Sequence, residues 1–276
     1  MRQMGLRNFS TSLRAGITFV KCPPPEIDTG CTFCEPVLPH NKPINFDKSL
    51  RNTAAAVWKT LLVLTGENAA SWPSKLELVP GSAVGEFQPF RRSICSPFHP
   101  VLFANTSLPG TACSSTSFSG ILLPDNQIFS NIPKSRLKEF AMAHLTPRSE
   151  IEEKAKEQER LSLEFPSQTN ENELILICGH SQRDIRCGAI APLLQDEFNA
   201  VLSSKGLLFD EDTNPRGIKV GMISHIGGHA YAGNVVYFKK NMEYPVVYGR
   251  VFPKHVQGIV KETVVNGNII EELYRG

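Results

Sequence analysis

Two pairs of potential metal ligands lie in one glycine-containing stretch of the chain. Eight residues separate Cys178 from Cys187, and three residues separate His225 from His229. Two thiolates and two imidazoles can bind a zinc ion, or an iron–sulfur cluster with cysteine on one iron and histidine on the other. Any fold of this sequence has to bring the two pairs together, and this requirement constrains the fold more than any other feature.

The pattern around the four residues predicts strands that end at ligands. The apolar run 174–177 predicts a buried strand that ends at Cys178, and the residues after Cys187 predict a helix that stops near Gly206. Segments 219–224 and 232–238 predict two further strands, which makes 225–229 the loop of a hairpin. An edge strand over 246–251 and a helix that begins at Pro253 complete this half.

An earlier part of the chain has a similar order of elements. Segments 60–65 and 101–104 predict strands, 120–129 predicts two short strands around a turn, and 133–145 predicts a helix. We interpret both parts as βαββα units and predict an α/β fold of two thioredoxin-like βαββα units, of which the second carries the ligands. The predicted domains are 22–147, with a Cys-rich N-terminal loop, and 173–276, joined by a charged linker helix in 148–172.

Composition excludes several classes of function. The net charge is +2 without a basic block, so no nucleic-acid partner is expected, and no apolar run is long enough for membrane insertion. Seven cysteines are too few and too scattered for a disulfide framework, which favours reduced thiols, metal ligands or a redox pair.

The first residues have the composition of a targeting segment. Arg2, Arg7, Arg14 and Lys21 precede the first acidic residue, Glu26, and hydroxyl residues lie among them. Residues 1–21 are therefore interpreted as a transit peptide that directs the protein to mitochondria, with the matrix as the expected compartment.

Other cysteines lie outside the ligand stretch. Cys31 and Cys34 form a C-x-x-C pair in a proline-rich loop, which is compatible with a redox dithiol, half of a zinc site or two incidental thiols. Cys95 and Cys113 are interpreted as ordinary thiols.

The spacing of the four ligands does not match a zinc finger, which has closely spaced cysteines and a short gap between cysteine and histidine. Segments 178–188 and 225–234 resemble thioredoxin-like ferredoxins of the sucrase/ferredoxin-like family, with His225 and His229 in place of the Cys-x3-Cys pair of all-cysteine members. The resemblance implies a [2Fe–2S] cluster with Cys178 and Cys187 on one iron and His225 and His229 on the other. Neutral imidazole ligands raise the reduction potential, and His180, Arg183 and Arg186 are either tuning groups around the site or solvated loop residues.

These features support one main function and two alternatives. The main hypothesis is one-electron transfer or redox sensing in mitochondria, with a redox protein of unknown identity as partner and without bond-making catalysis. The alternatives are a thiol–disulfide oxidoreductase that uses Cys31 and Cys34, and a zinc-stabilised interaction module.

Overall fold

The computed structural model describes residues 18–94, 96–111, 115–240 and 244–276. The strands in these ranges are β1 (Phe19–Val20), β2 (Lys59–Leu64), β3 (Val101–Thr106), β4 (Ser117–Leu123), β5 (Gln127–Pro133), β6 (Gln168–Thr169), β7 (Leu174–Cys178), β8 (Lys219–Ile223), β9 (Val235–Phe238), β10 (Val246–Tyr248) and β11 (Ile269–Ile270). The helices are α1 (Ala83–Ile94), α2 (Leu137–His144), α3 (Glu152–Leu163), α4 (Ile185–Ser204) and α5 (Pro253–Ile259), which continues as a π-helix over Val260–Val265. The fold is mixed α/β, as predicted.

One mixed sheet runs through both halves of the molecule. Its nine strands lie in the order β10-β9-β7-β8-β3-β2-β4-β5-β6, and β1 pairs separately with β11. The halves meet where β3 and β8 run antiparallel, with Thr106 opposite Ile223. The Ser107 N–H donates to the carbonyl of Met222 beside this point, which extends the junction. The domain boundaries drawn from the sequence stay predictions, and the sheet is continuous across them.

The same strand pairing occurs in each half. In the first, β2 is parallel to β3 and antiparallel to β4, which pairs with β5. In the second, β7 is parallel to β8 and antiparallel to β9, which pairs with β10. Each half thus contributes four strands in the same arrangement, where the βαββα order has three, and β6 adds the ninth strand of the sheet beside β5.

Two local predictions need correction. The segment 225–229 is not the loop of a hairpin, because β7 lies between β8 and β9 and pairs with both. Helix α1 was not expected from the sequence, since Gly85 and Pro89 lie inside it and both residues disfavour helix interiors. The predicted charged helix is confirmed as α3, with an ion pair of 2.7 Å between Lys156 and Glu152.

The core supports the strand that leads to the first ligand. All four residues of the run 174–177 are fully buried, and they belong to a hydrophobic cluster that includes residues of β2, β3 and β4 as well as α4 and α5. A second cluster lies under α1 and α2 in the first half. Burial on both faces is what an uninterrupted apolar strand requires, so β7 is held rigidly.

Residues 22–53 pack mainly against the second half of the chain. The Cys22 N–H donates to Glu272, the Glu26 N–H donates to Gln257, and Arg186 donates to the carbonyl of Pro43. Most of the predicted transit peptide, and Cys95 and Cys113, lie outside the described residues. The described helices include none that is long and apolar enough to cross a membrane.

Candidate metal centre

The ends of β7 and β8 place the two ligand pairs at one edge of the sheet. These strands are parallel, and Cys178, the last residue of β7, is in register with Ile223, the last residue of β8. The chain reaches His225 two residues later. Because the carboxyl ends of parallel strands lie at the same edge, Cys178 and His225 are neighbours although they are far apart in sequence.

The N-terminus of α4 holds Cys187 beside Cys178. Asp184 caps the helix by accepting from the Arg186 N–H at 3.0 Å, and its carboxylate also binds the Arg186 guanidinium through two bonds of 2.9 Å. Burial would raise the pKa of Asp184, but the bonds from Arg186 outweigh it and leave the pKa lowered. Cys187 therefore sits in the first turn of a firmly capped helix.

The loop before α4 approaches the helix so closely at position 188 that only glycine fits there. A Cβ on Gly188 would lie 2.3 Å from the Cβ of Ser181 and 2.8 Å from its Cα. A larger residue would push the loop from the helix and separate the two cysteines.

The structure places the four predicted ligands close to one another. Cys178 lies beside Cys187 and beside the His225 side chain, and the His225 and His229 rings lie 5.4 Å apart between centroids. The Cys187 side chain lowers the pKa of Cys178 well below its usual value, against the effect of burial, and the neighbouring Cys178 raises the pKa of Cys187.

Exposure differs between the two pairs. Cys178 and Cys187 are 2% and 1% exposed, whereas His225 is half-buried and His229 is exposed. The sulfur side of the centre faces the core, and the imidazole side faces solvent.

His180 holds the backbone at the first histidine. It is buried, its Nδ1 accepts from the His225 N–H at 3.2 Å, and its Nε2 lies 2.9 Å from the carbonyl of Pro73. Since Nδ1 accepts, the ring carries its proton on Nε2 and donates to Pro73. Burial lowers the pKa of His180, which favours this neutral form. His180 and Arg186 are thus built into the site, whereas Arg183 is exposed and donates at 3.4 Å to the carbonyl of Ser74.

The C-terminal Arg275 and Asn234 hold the loop between the histidines. Arg275 is 1% exposed and donates to the Asn234 side chain at 2.7 Å and to the carbonyl of Gly227 at 3.4 Å. Asn234 donates to the carbonyl of Gly228 at 3.0 Å, while its own carbonyl accepts from the Cys178 N–H at 2.9 Å. Gly228 has φ +71° and lies against the guanidinium, so this position favours glycine.

Sequence reasoning missed Arg275, Asn234 and His180's contact with the His225 backbone. Asp184 carries a local signal, because an aspartate one residue before a helix is a common N-cap. Arg275 and Asn234 have no comparable local sequence signal, since their partners are set by the tertiary fold.

The sequence left two possible occupants for the two cysteines and two histidines, namely a single zinc ion and a [2Fe–2S] cluster. Across the described ranges, no three His, Cys, Asp or Glu side chains are arranged as a ready site for a single metal ion. A [2Fe–2S] cluster needs two donors on each iron. The buried pair of sulfurs and the adjacent pair of imidazoles fit that pattern in donor type and in grouping.

The other cysteine pair lies in the N-terminal segment. Cys31 and Cys34 form a disulfide, and Cys22 is a half-buried free thiol whose pKa is raised to about 11 by burial. Both cysteines of the disulfide are distinct from the four candidate ligands Cys178, Cys187, His225 and His229.

Comparison with known proteins places the chain in a family. The sequence model of the family described as "Sucrase/ferredoxin-like" matches residues 50–276. The chain belongs to the sucrase/ferredoxin-like family. The chain is 44% identical to "Altered inheritance of mitochondria protein 32" of Clavispora lusitaniae, with 94% of this chain and 96% of that protein covered. It is 42% identical to the protein of the same name in Debaryomyces hansenii (93% and 94% covered) and 40% identical to that in Meyerozyma guilliermondii (92% and 93%). No solved structure matches the chain.

Proposed function

We propose that this protein is a mitochondrial electron-transfer or redox-sensing protein with a [2Fe–2S] cluster. Cys178 and Cys187 would hold one iron, and His225 and His229 would hold the other. The observation that carries the proposal is the grouping of two buried sulfurs beside two more exposed imidazoles at the ends of β7 and β8. A bound cluster of this kind supplies the ability to accept and release one electron.

The residues around the site have distinct roles in this proposal. The core strand β7 and the capped start of α4 keep the two sulfurs in place and exclude water from them. The loop held by Arg275 and Asn234 presents His229 to solvent, so a redox protein partner would dock on the imidazole side. That side offers the shorter path for an electron because the sulfur side is covered by protein.

Two further parts of the proposal rest on the fold and on the relatives. The strand order β8-β7-β9-β10, with β7 parallel to β8, supports the interpretation of the second half as a thioredoxin-like ferredoxin and of the first as a related unit without ligands. The mitochondrial location is supported by the acid-free N-terminal segment and by the name of the relatives, which refers to mitochondria. The matrix is the compartment that we propose.

The test is chemical analysis of anaerobically purified protein. We expect about two irons and two acid-labile sulfides per chain, with a visible absorption spectrum. Replacing Cys178, Cys187, His225 or His229 one at a time should reduce the iron content, whereas the matched variant Cys22→Ser should retain it. A colourless protein with stoichiometric zinc would overturn the proposal in favour of the zinc-stabilised module.

A further inference from the structure

The Cys31–Cys34 disulfide lies on a loop that two helices of the second half hold in place. The hydroxyl groups of Thr29 and Thr32 both donate to the carboxylate of Glu197 in α4, the latter at 2.9 Å. Glu197 and Thr32 are completely buried. Thr32 is the residue next to Cys31 within the pair, so the loop is fixed between the two sulfurs.

Gln257 of α5 holds the same loop from a second side. Its amide nitrogen donates to the carbonyl of Ile27 at 2.7 Å, and its Oε1 accepts from the Glu26 N–H at 2.9 Å and the Ile27 N–H at 3.3 Å. None of these bonds uses a sulfur atom. The loop can therefore keep its position when the disulfide is opened.

A groove of about 630 Å³ begins at one sulfur of the pair. Cys34 lines it and Cys31 does not, and the opposite wall comes from residues 250–255 and 272–273. Phe46 and Phe252 stack at 6.5 Å along the groove. Phe33 and Phe46 are 63% and 61% exposed, which gives the groove an apolar rim beside a half-buried disulfide, while Arg250, Lys254 and Glu272 add charged groups on the opposite wall.

We propose that Cys31 and Cys34 are a second redox site, which oxidises a protein dithiol whose cysteine-bearing, apolar segment binds in this groove. The occupant follows from the chemistry, since a disulfide reacts with a thiolate and the apolar rim favours apolar neighbours of that thiolate. This site is independent of the proposed iron–sulfur centre.

The geometry assigns an order to the exchange. A thiolate of the partner attacks Cys34, the sulfur that lines the groove; the Cys31–Cys34 bond breaks, and Cys31 leaves as a thiolate. The partner's second thiolate then attacks the partner sulfur of the mixed disulfide and releases Cys34. The partner dithiol becomes a disulfide, and two electrons and two protons pass to Cys31 and Cys34, so the chain's own disulfide is the oxidant.

The first experiment mixes the oxidised full-length protein with a reduced synthetic peptide that has two cysteines flanked by Phe and Leu. Mass spectrometry should show about one peptide oxidised per chain. A peptide with serines as the flanking residues should react about tenfold more slowly, as expected for the loss of a partly buried apolar side chain. The absence of peptide oxidation would overturn the proposal.

The second experiment identifies the attacked sulfur. With Cys31→Ser, a peptide that carries an activated disulfide should form a stable adduct at Cys34, whereas Cys34→Ser should react about tenfold more slowly at Cys31. Equal rates for the two variants would contradict the assigned order.

Surface variants test the groove without disturbing the core. Phe33→Ser and Phe46→Ser should slow the reaction with the apolar peptide and leave the reaction with glutathione unchanged. Phe98→Ser is the matched control, because Phe98 is 88% exposed and does not line the groove. Equal slowing with peptide and glutathione would reject a peptide site, and iron content measured on the same samples reports separately on the metal centre.

Discussion

Replacing Arg275 with methionine should destabilise the protein and loosen the loop that carries the two histidines. Methionine has a similar length and no charge, so the change removes the guanidinium while it retains apolar contacts. In the wild type the guanidinium donates four hydrogen bonds, two of them to Thr53 at 2.6 and 3.1 Å and the others to Gly227 and Asn234. Burial lowers the pKa of Arg275, so its charge is maintained at a cost in desolvation.

The loss of stability depends on the hydrogen-bond acceptors that lose their donor when the Arg275 guanidinium is removed. The carbonyls of Thr53 and Gly227 and the side-chain oxygen of Asn234 would lose a donor, and each buried acceptor without a partner costs about 1–3 kcal/mol. Removing the buried charge recovers part of that cost, since desolvating an ion is itself unfavourable by several kcal/mol. Asn234 is fully buried whereas Thr53 and Gly227 are half-buried, so we expect a net loss of about 1–3 kcal/mol in the free energy of unfolding.

Urea denaturation measures this loss, and hydrogen exchange locates it. Exchange should accelerate at the amides of Tyr231 and Ala232, which donate to carbonyls within the histidine loop at 2.9 and 3.1 Å. Arg51→Met is the matched control, because the Arg51 side chain is 64% exposed and pairs with Glu271 at the surface. Such a pair is worth less than about 1 kcal/mol. Equal losses of unfolding free energy in the two variants would refute the proposed role of Arg275 in holding the histidine loop. Wild-type exchange rates at Tyr231 and Ala232 in Arg275→Met would refute it as well.

Three other outcomes are expected. Replacing His225 and His229 together with cysteine adds negative charge to the proposed [2Fe–2S] cluster, so the reduction potential of that cluster should fall by an amount on the order of hundreds of millivolts. An unchanged potential in film voltammetry would show that the two histidines are not ligands. Burial lowers the pKa of His144 from 6.5 to about 4, so the unfolded chain takes up a proton between these values that the folded chain does not, and stability falls as the pH falls through this window. His144→Leu should therefore reduce the loss of stability between pH 7 and pH 5 by about 1–2 kcal/mol in urea denaturation, whereas an identical pH dependence would argue against a buried neutral imidazole. Deletion of residues 1–21 should leave a fluorescent fusion in the cytosol, and continued import into mitochondria would show that the leader is elsewhere.

Local patterns were sufficient for most of the second half. The apolar run before Cys178 predicts β7, and the one-sided apolar spacing after Cys187 predicts α4, because burial on a strand or a helix face imposes a period on the sequence. The ligand spacing also indicated the four candidate residues, which the fold brings together. Helix α1 and the place of β7 between β8 and β9 were missed, since the first contradicts local propensity and the second depends on which strands pair.

The sequence by itself determined most elements of the second half and the types of the candidate donors, whereas the surroundings of the site were decided by the tertiary structure. Arg275 contacts Thr53 and Gly227, and Glu197 contacts Thr29 and Thr32. Such pairs are far apart along the chain and follow no helical or strand period, so no window of sequence contains both partners. They form because the continuous sheet and its packed helices bring these segments together, after which buried polar groups have to satisfy one another.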